Sequence, residues 1–381
     1  MKTFINTCIR FLKSKTVLCI AGSLAFISAF FVHPSAAYMG YIDFRVLSLL
    51  FSLMLVVAGF QSIGLFHCLG SALLTKVHTT RQLILVLSLL CFFSSMFITN
   101  DVALLTFVPF AIMILTMAGQ QKLLISTIVL QTIGANLGSM FTPVGNPQNL
   151  YLASAFSLST GTFLIRMFPL TALSLVLLVA AACMLPSTPV DIASQTAAER
   201  PEPKKLAVYL VLFMTCLGCV SHLIPYPVML VLVLITLLFI NRTLFQKADY
   251  FLLLTFVFFF LFTGNVQNIP AVSDLLHKLI RGRELGAGIL LSQCISNVPA
   301  AILLSGFTDQ VISLLYGVNI GGLGTLIASL ASLISYRFYV GTENAHTGRY
   351  MKVFTLYNVI FLIILALVAG KSFKIYSKNP R

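Results

Sequence analysis

Gln131 to Ala153 reads QTIGANLGSMFTPVGNPQNLYLA, and this stretch decides the fold. It sits where a membrane-spanning helix is due, yet it carries three Gly, two Pro and three Asn, with no Lys or Arg to account for its polarity. In hydrocarbon an unpaired backbone group costs several kcal/mol. Irregular backbone at that depth is therefore tolerated only inside protein or along a cavity. A broken, polar segment of this kind predicts a transport site.

The surrounding composition sets the class. Of 381 residues, 59% are hydrophobic and only 9% charged, too few to clothe a water-soluble domain. The expected fold is an all-α polytopic membrane protein. The formal charge of +14 does not imply nucleic acid, because the basic residues are spread between apolar segments, as in loops that follow the positive-inside rule. Cysteines such as Cys19, Cys91, Cys183 and Cys294 lie in apolar runs and read as small hydrophobes. Cys216 and Cys219 form a CxxC inside an apolar run, without the second pair or histidines that a metal site needs. Trp is absent, so an aromatic belt would rest on tyrosines near segment ends, among them Tyr38, Tyr41, Tyr151, Tyr226, Tyr250, Tyr336 and Tyr339.

Along the chain, a basic leader (Lys2, Arg10, Lys13, Lys15) precedes an apolar run at 16–33, read as a retained span. Ser35-Ala36-Ala37 offers the competing reading, a cleaved signal peptide. Two pairs of apolar segments interrupted by a polar tip, 82–118 and 285–316, are expected to be re-entrant helical hairpins. Two further segments, 122–153 and 318–336, are expected to be broken transmembrane helices. Residues 186–205, rich in Pro, Ser, Thr, Glu and Lys, form a cytoplasmic linker between a first repeat, 1–185, and a second, 206–381.

The halves resemble each other. Ile98-Thr99-Asn100 matches Ile295-Ser296-Asn297, and Gly134, Asn136, Gly138 and Thr142 pair with Gly317, Asn319, Gly321 and Thr325. Asn146 and Asn149 then face Ser329 and Ser332, so the polar spacing persists where the residue types change. Counting crossings with the N-terminus in the cytoplasm puts most Lys and Arg inside and makes the repeats inverted. The hairpins then enter from opposite faces and present Asn100 and Asn297 near mid-depth. Their second half-helices aim N–H groups at an anion, while carbonyls at the ends of the first halves and in unwound GxNxG segments suit a small cation.

These residues resemble the ion transporter superfamily, which includes arsenite permeases, sodium/proton antiporters, citrate transporters and divalent-anion:sodium symporters. The TNDVALL, GANLGSMFTPVGNPQN and SNVPAAILL stretches carry the likeness, which covers nearly the whole chain. It implies a homodimer with a scaffold and a mobile transport domain working as an elevator. It also implies cation sites formed by Thr99, Asn100, Gly134, Asn136 and Gly138, and by Ser296, Asn297, Gly317, Asn319 and Gly321. Substrate would lie between the Asn tips, near Asn100, Asp101, Thr142, Asn146, Asn149, Asn297 and Thr325. The match breaks at the third tip position, where the symporter branch has Thr and this chain has Asp101 and Val298. The loss of two hydroxyl donors, with an acidic group beside one tip, weakens a dicarboxylate assignment.

Asp101 has two readings. It is either a proton carrier or cation ligand, or a first-turn residue stabilised by the helix dipole. Gly134, Gly138, Gly317 and Gly321 are likewise either cation-site backbone or GxxxG packing motifs. No HExxH, GxSxG or phosphate loop is present, so an enzyme is not expected, nor is any cofactor beyond Na+ or H+ as coupling ion. The expected function is secondary active transport of a small anion, an organic carboxylate or an inorganic oxyanion, by a multi-pass protein of the inner membrane. A Na+/H+ antiporter and an ion channel are the alternatives.

Overall fold

Apolar runs of about 18 residues or more fold as helices because a spanning segment must satisfy its own backbone. In the computed structural model, which describes residues 16–74, 77–190 and 201–377, eight helices are long and apolar enough to cross a membrane. Among the described residues the regular structure is helical apart from one isolated bridge between Thr79 and Pro189. The basic leader, Lys76, residues 191–200 of the linker and the last four residues lie outside the described residues. Polar side chains start several helices. Asp43, Thr79, Ser159 and Asp249 accept from Val46, Gln82, Thr162 and Leu252 N–H groups at 2.9, 3.3, 3.1 and 3.1 Å.

The outer surface is apolar. Phe239 is 84% exposed and Ile165 73%, exposures that a lipid-facing surface tolerates and a water-facing one does not. The aromatic-belt expectation fails at two of its tyrosines: Tyr151 and Tyr339 are buried, at 9% and 4% exposure. Both belong to helices that follow a break and therefore sit inside the bundle.

Helix Thr16–Ala29 has 14 residues, shorter than the expected span at 16–33, and packs along Tyr250–Gln267. The first hairpin has arms Thr80–Ile98 and Asn100–Met117. The second is shorter, Glu284–Ile295 and Asn297–Ser305. Residues 311–316, expected to complete that hairpin, instead belong to Val311–Ile320, the first half of the second broken helix, and Leu330–Val340 is its second half. The first broken helix runs Leu124–Gly138 and resumes at Pro147–Ala155.

The GxNxG segment at 134–138 is helical throughout and the one at 317–321 is helical up to Ile320, which corrects the expectation that they are unwound. The breaks follow them. Ser139–Phe141 and Pro143–Gly145 are single 3-10 turns separated by extended Thr142, and extended Asn146 divides the second turn from the helix that follows. The second break spans 321–329. Pro143 and Pro147 lack N–H donors, which ends the ladder here and not earlier.

Packing repeats with the sequence. A lipid tail is as apolar as Leu, so helix association relies on small residues and close backbones. A methyl placed on Gly134 would meet Ser88 O at 2.9 Å, and one on the paired Gly317 would meet Leu285 O at 2.7 Å. On Gly138 it would meet Ser95 Oγ at 2.8 Å, and on Gly321 Ser292 Oγ at 2.7 Å. Ser88 and Leu285, and Ser95 and Ser292, are themselves repeat-related in the hairpin alignment. All four glycines thus do serve as packing surfaces against the first arms.

Candidate functional site

The two hairpin tips share a conformation that L residues avoid. Thr99 lies at φ 67°, ψ 151° and Ser296 at φ 75°, ψ 155°, a region that is essentially glycine territory and costs on the order of 1–3 kcal/mol per residue. Neither position is glycine. The chain holds the same unfavourable geometry twice, at positions the sequence alignment pairs, and each one sets an Asn at the start of the second arm.

Asn100 Nδ2 donates to Asn136 Oδ1 at 2.9 Å, so the first tip stops beside the last turn of Leu124–Gly138, partway along the broken helix. Asn136 also accepts from Ser329 Oγ at 3.0 Å and donates to Ser332 Oγ at 3.4 Å. Both serines belong to the other repeat. The reciprocal bond is present too: Asn319, the partner of Asn136, donates to Asn149 Oδ1 at 2.7 Å, and Asn149 is the repeat mate of Ser332. Each half therefore reaches across to the segment after the break in the other half. The packing follows suit, with Asn100–Met117 against Leu330–Val340 and Asn297–Ser305 against Pro147–Ala155.

The second tip closes against its own break. Asn297 N–H donates to Ala328 O at 3.0 Å, and Ser296 Oγ reaches the same carbonyl at 3.4 Å and Asn297 Oδ1 at 3.4 Å. The bond Asn100 makes to Asn136 has no counterpart between Asn297 and Asn319; a methyl on Gly322 would instead lie 2.9 Å from Asn297 Nδ2.

The first break is tied together by amides. Asn146 Nδ2 donates to Ser139 Oγ at 2.6 Å, and Asn149 Nδ2 to the carbonyls of Ser139, Met140 and Thr142 at 3.2, 3.4 and 3.2 Å. Ser139 Oγ closes the circuit on Asn136 O at 3.0 Å. Thr142 Oγ1 donates to Met96 O, and Thr325 Oγ1 to Gln293 O at 3.3 Å. Met96 and Gln293 are repeat mates, so both threonines staple a break to a hairpin arm. Gln293 adds bonds from Nε2 to Gly321 O and Leu323 O, each at 2.9 Å, and accepts Thr325 N–H at 2.9 Å.

Asn100, Asn136, Asn146, Asn149 and Asn319 thus fall into one buried hydrogen-bonded network with Ser139, Ser329 and Ser332, while Ser296 and Asn297 bond to Ala328 beside it, Thr142 and Thr325 staple its margin, and Gly134, Gly138, Gly317 and Gly321 line helix contacts. Asp101 is half-buried beside Asn100, whose Oδ1 accepts the Asp101 N–H at 2.9 Å. Sequence reasoning missed Ser139 and Gln293 as supporting residues, and saw Ser329 and Ser332 only as register markers. It also missed Glu284, which is 1% exposed. Its Oε1 accepts from Gly282 N–H at 2.9 Å and Thr308 Oγ1 at 3.1 Å. A carboxyl directly after Arg283 reads as a surface residue in sequence, so nothing there pointed to its burial.

The network is neutral, and parts of it are unsatisfied. Asn146 Oδ1, Asn319 Oδ1 and both polar atoms of the Gln148 side chain are buried without a protein partner. Buried polar groups are normally paired, so such orphans mark a place for water or a ligand. Three are acceptor oxygens, the ligand type a hard monovalent cation prefers. No group of three or more His, Cys, Asp or Glu is gathered among the described residues.

Comparison with known proteins places the chain in a family. Residues 4–310 match the family model of the citrate transporter family. An uncharacterized transporter of Methanocaldococcus jannaschii is 31% identical over 336 residues, covering 86% of this chain and 90% of that protein. The inner membrane protein YbiR of Escherichia coli is 32% identical over 338 residues, covering 86% and 87%. The silicon efflux transporter LSI3 of rice is 30% identical over 156 residues, covering 41% of this chain and 31% of the rice protein. The chain belongs to the citrate transporter family and is a polytopic membrane transporter.

Proposed function

We propose that the protein is a secondary active transporter that moves a small anion, a carboxylate or an inorganic oxyanion, coupled to Na+ or H+. The observation that supports this reading best is the reciprocal amide network: each repeat's Asn crosses to the other repeat beside its break, and orphaned acceptors stand within it. Acceptors at Asn146 and Asn319 suit the coupling cation. The tips at Asn100 and Asn297, each at the N-terminus of a second arm, suit the anion. Reciprocal contacts give two states that differ by an exchange of roles between the halves, which is the requirement of alternating access. Movement of the hairpins and broken helices as one body against the remaining helices is the elevator form of that exchange.

We place the protein in the inner membrane, as the name of its Escherichia coli relative states for that protein. Its N-terminus is assigned to the cytoplasm and its working form to a homodimer.

Reconstitution into proteoliposomes with a Na+ or pH gradient tests the reading. The anion panel is citrate, succinate, sulfate, phosphate and arsenite, with silicic acid added because of the name of the rice relative. Saturable, gradient-dependent accumulation of one compound supports it. A Na+/H+ antiporter is the second reading, favoured by the same acceptor oxygens and by the absence of Lys and Arg from the network; Na+-driven proton movement with no anion transported would establish it. Single-channel currents would overturn both.

A further inference from the structure

The repeat relation extends beyond the amide network to two cavities. One, of about 930 Å3, is bounded by Pro109, Phe338 and Tyr339 together with Lys122, Glu343 and Arg349. The other, of about 300 Å3, is bounded by Ala155, Phe156, Tyr151, Thr263, Ser305 and Gly306. In the hairpin alignment Gly306 corresponds to Pro109, and in the broken-helix alignment Ala155 and Phe156 correspond to Phe338 and Tyr339. The cavities are therefore repeat mates, each between the far end of a second hairpin arm and the far end of the opposite repeat's broken helix.

Their architecture is shared, but their chemistry is not. The smaller cavity presents hydroxyls and an amide with no charge. The larger presents Lys122, Arg349 and His346 against the single carboxylate of Glu343. Among the described residues neither Lys122 nor Arg349 has an ion pair or a side-chain hydrogen bond. Arg349 moreover lies in the first turn of Thr347–Ser377, which holds no acidic residue. A helix N-terminus disfavours a cation, and both the dipole and the guanidinium are relieved by an anion placed against them. Both cations are exposed and outnumber the single carboxylate, and an excess of one sign in a cleft concentrates the opposite ion and speeds its arrival.

We propose that the cavity lined by Lys122 and Arg349 is an anion-collecting vestibule, a second binding site for a small oxyanion or carboxylate on the path to the amide network. Transport from its side gains a low-affinity capture step that the uncharged cavity does not supply. This inference rests on the anion-carrier reading of the central site. An acidic lipid headgroup offers the same chemistry, and the test separates the two sources.

The full-length protein in phosphatidylcholine nanodiscs is treated with an amine-acylating ester, and labelling of Lys122 is followed by mass spectrometry. Sodium sulfate or citrate is compared with sodium chloride at equal ionic strength, and exposed Lys204 and Lys205 serve as internal controls. The expected result is slower acylation of Lys122 by several-fold with sulfate or citrate, no change at the controls, and loss of the protection in Arg349→Gln. Asn297→Ala, altered only at the central site, keeps the protection. In proteoliposomes Lys122→Gln raises the KM for uptake from that side on the order of 10-fold at low salt and leaves the maximal rate unchanged. Equal labelling with all three salts overturns the vestibule. So does protection that appears only in phosphatidylglycerol discs and is not increased by sulfate, which assigns the cavity to lipid. Protection of Lys122 without accumulation of any anion in proteoliposomes would count against the carrier reading and leave the vestibule as a binding site.

Discussion

Asn136→Ala and Asn319→Ala are repeat-related changes that should differ in effect, because the two side chains are not equally occupied. Asn136 Oδ1 is held by two donors, Asn100 Nδ2 at 2.9 Å and Ser329 Oγ at 3.0 Å, while its contact to Ser332 is long at 3.4 Å. A buried hydrogen bond contributes about 1 kcal/mol, nearer 0.6 in membrane bundles, and a stranded buried donor costs about 1–3 kcal/mol. Removing this acceptor strands Asn100 Nδ2, so the loss should be about 2–3 kcal/mol. Asn319 makes one bond across the repeats, 2.7 Å to Asn149, and one within its own helix to Leu315 O. Asn149 keeps the three carbonyl contacts of its Nδ2, but its Oδ1 loses Asn319 as donor; with one cross-repeat partner stranded in place of two or more, Asn319→Ala should lose about 1–2 kcal/mol. The order reverses for cation response, since Asn319 Oδ1 is the orphaned oxygen. Thermal unfolding in detergent, read by a thiol-reactive dye as buried Cys91, Cys216 and Cys219 become accessible, measures both quantities. Asn136→Ala should lower the midpoint more, and Asn319→Ala should lose more of the stabilisation by Na+. Equal midpoints, or a Na+ response abolished in Asn136→Ala and intact in Asn319→Ala, would show that the two amides do not hold these different roles.

Asp101→Asn should remove the dependence of uptake on a pH gradient while leaving the fold intact; unchanged pH-coupled uptake in proteoliposomes would limit Asp101 to a first-turn role. Gly138→Ala drives a methyl onto Phe92 O and to within 2.8 Å of Ser95 Oγ. It should cost about 1–3 kcal/mol by overpacking, seen as loss of monodisperse protein on gel filtration. Gly161→Ala, which meets nothing within 4 Å, should be neutral in the same assay. Thr99→Gly should stabilise the fold by on the order of 1 kcal/mol and so raise the unfolding midpoint, because relief of the positive φ exceeds the added chain entropy; a lower midpoint would show that the tip carries no strain.

Much of this was legible in the sequence because a repeat constrains two places at once. GxNxG and the hydroxyl-Asn tip recur in order, and the structure gives the paired glycines the same close packing and the two tips the same backbone conformation. The register of Asn146 and Asn149 against Ser329 and Ser332 foreshadowed the cross-repeat bonds, since residues of different type still occupied the same turns. The break positions were less legible. GANLG contains two glycines yet continues as helix because close packing against Ser88 and Ser95 replaces what the propensity lacks. Hydropathy also could not separate the second arm of the second hairpin from Val311–Ile320, for both are apolar and only the short turn at 306–310 divides them. The roles of Thr142 and Thr325 were invisible for another reason: their acceptors are backbone carbonyls, which every residue supplies.

The departures from symmetry carry their own argument. An inverted repeat whose halves were identical would hold two states of equal energy and would have no preferred resting face. Here the first hairpin has arms of 19 and 18 residues and the second of 12 and 9. Asp101 stands where the other half has Val298, and Asn149 where it has Ser332. Asn149 binds the first break through three carbonyls, whereas the second break is held by Gln293 from a hairpin arm. The amide contacts of the first break thus come from its own helix and those of the second from its neighbour, with Thr142 adding a hydroxyl staple from the first break to Met96 O. A displacement of the second hairpin must disturb the second break, while a displacement of the first hairpin can leave the amide contacts of its break in place. In the proposed transport cycle this makes the second hairpin and its break a single moving unit, held at Gln293, and Gln293→Leu should uncouple them, lowering transport more than it lowers stability.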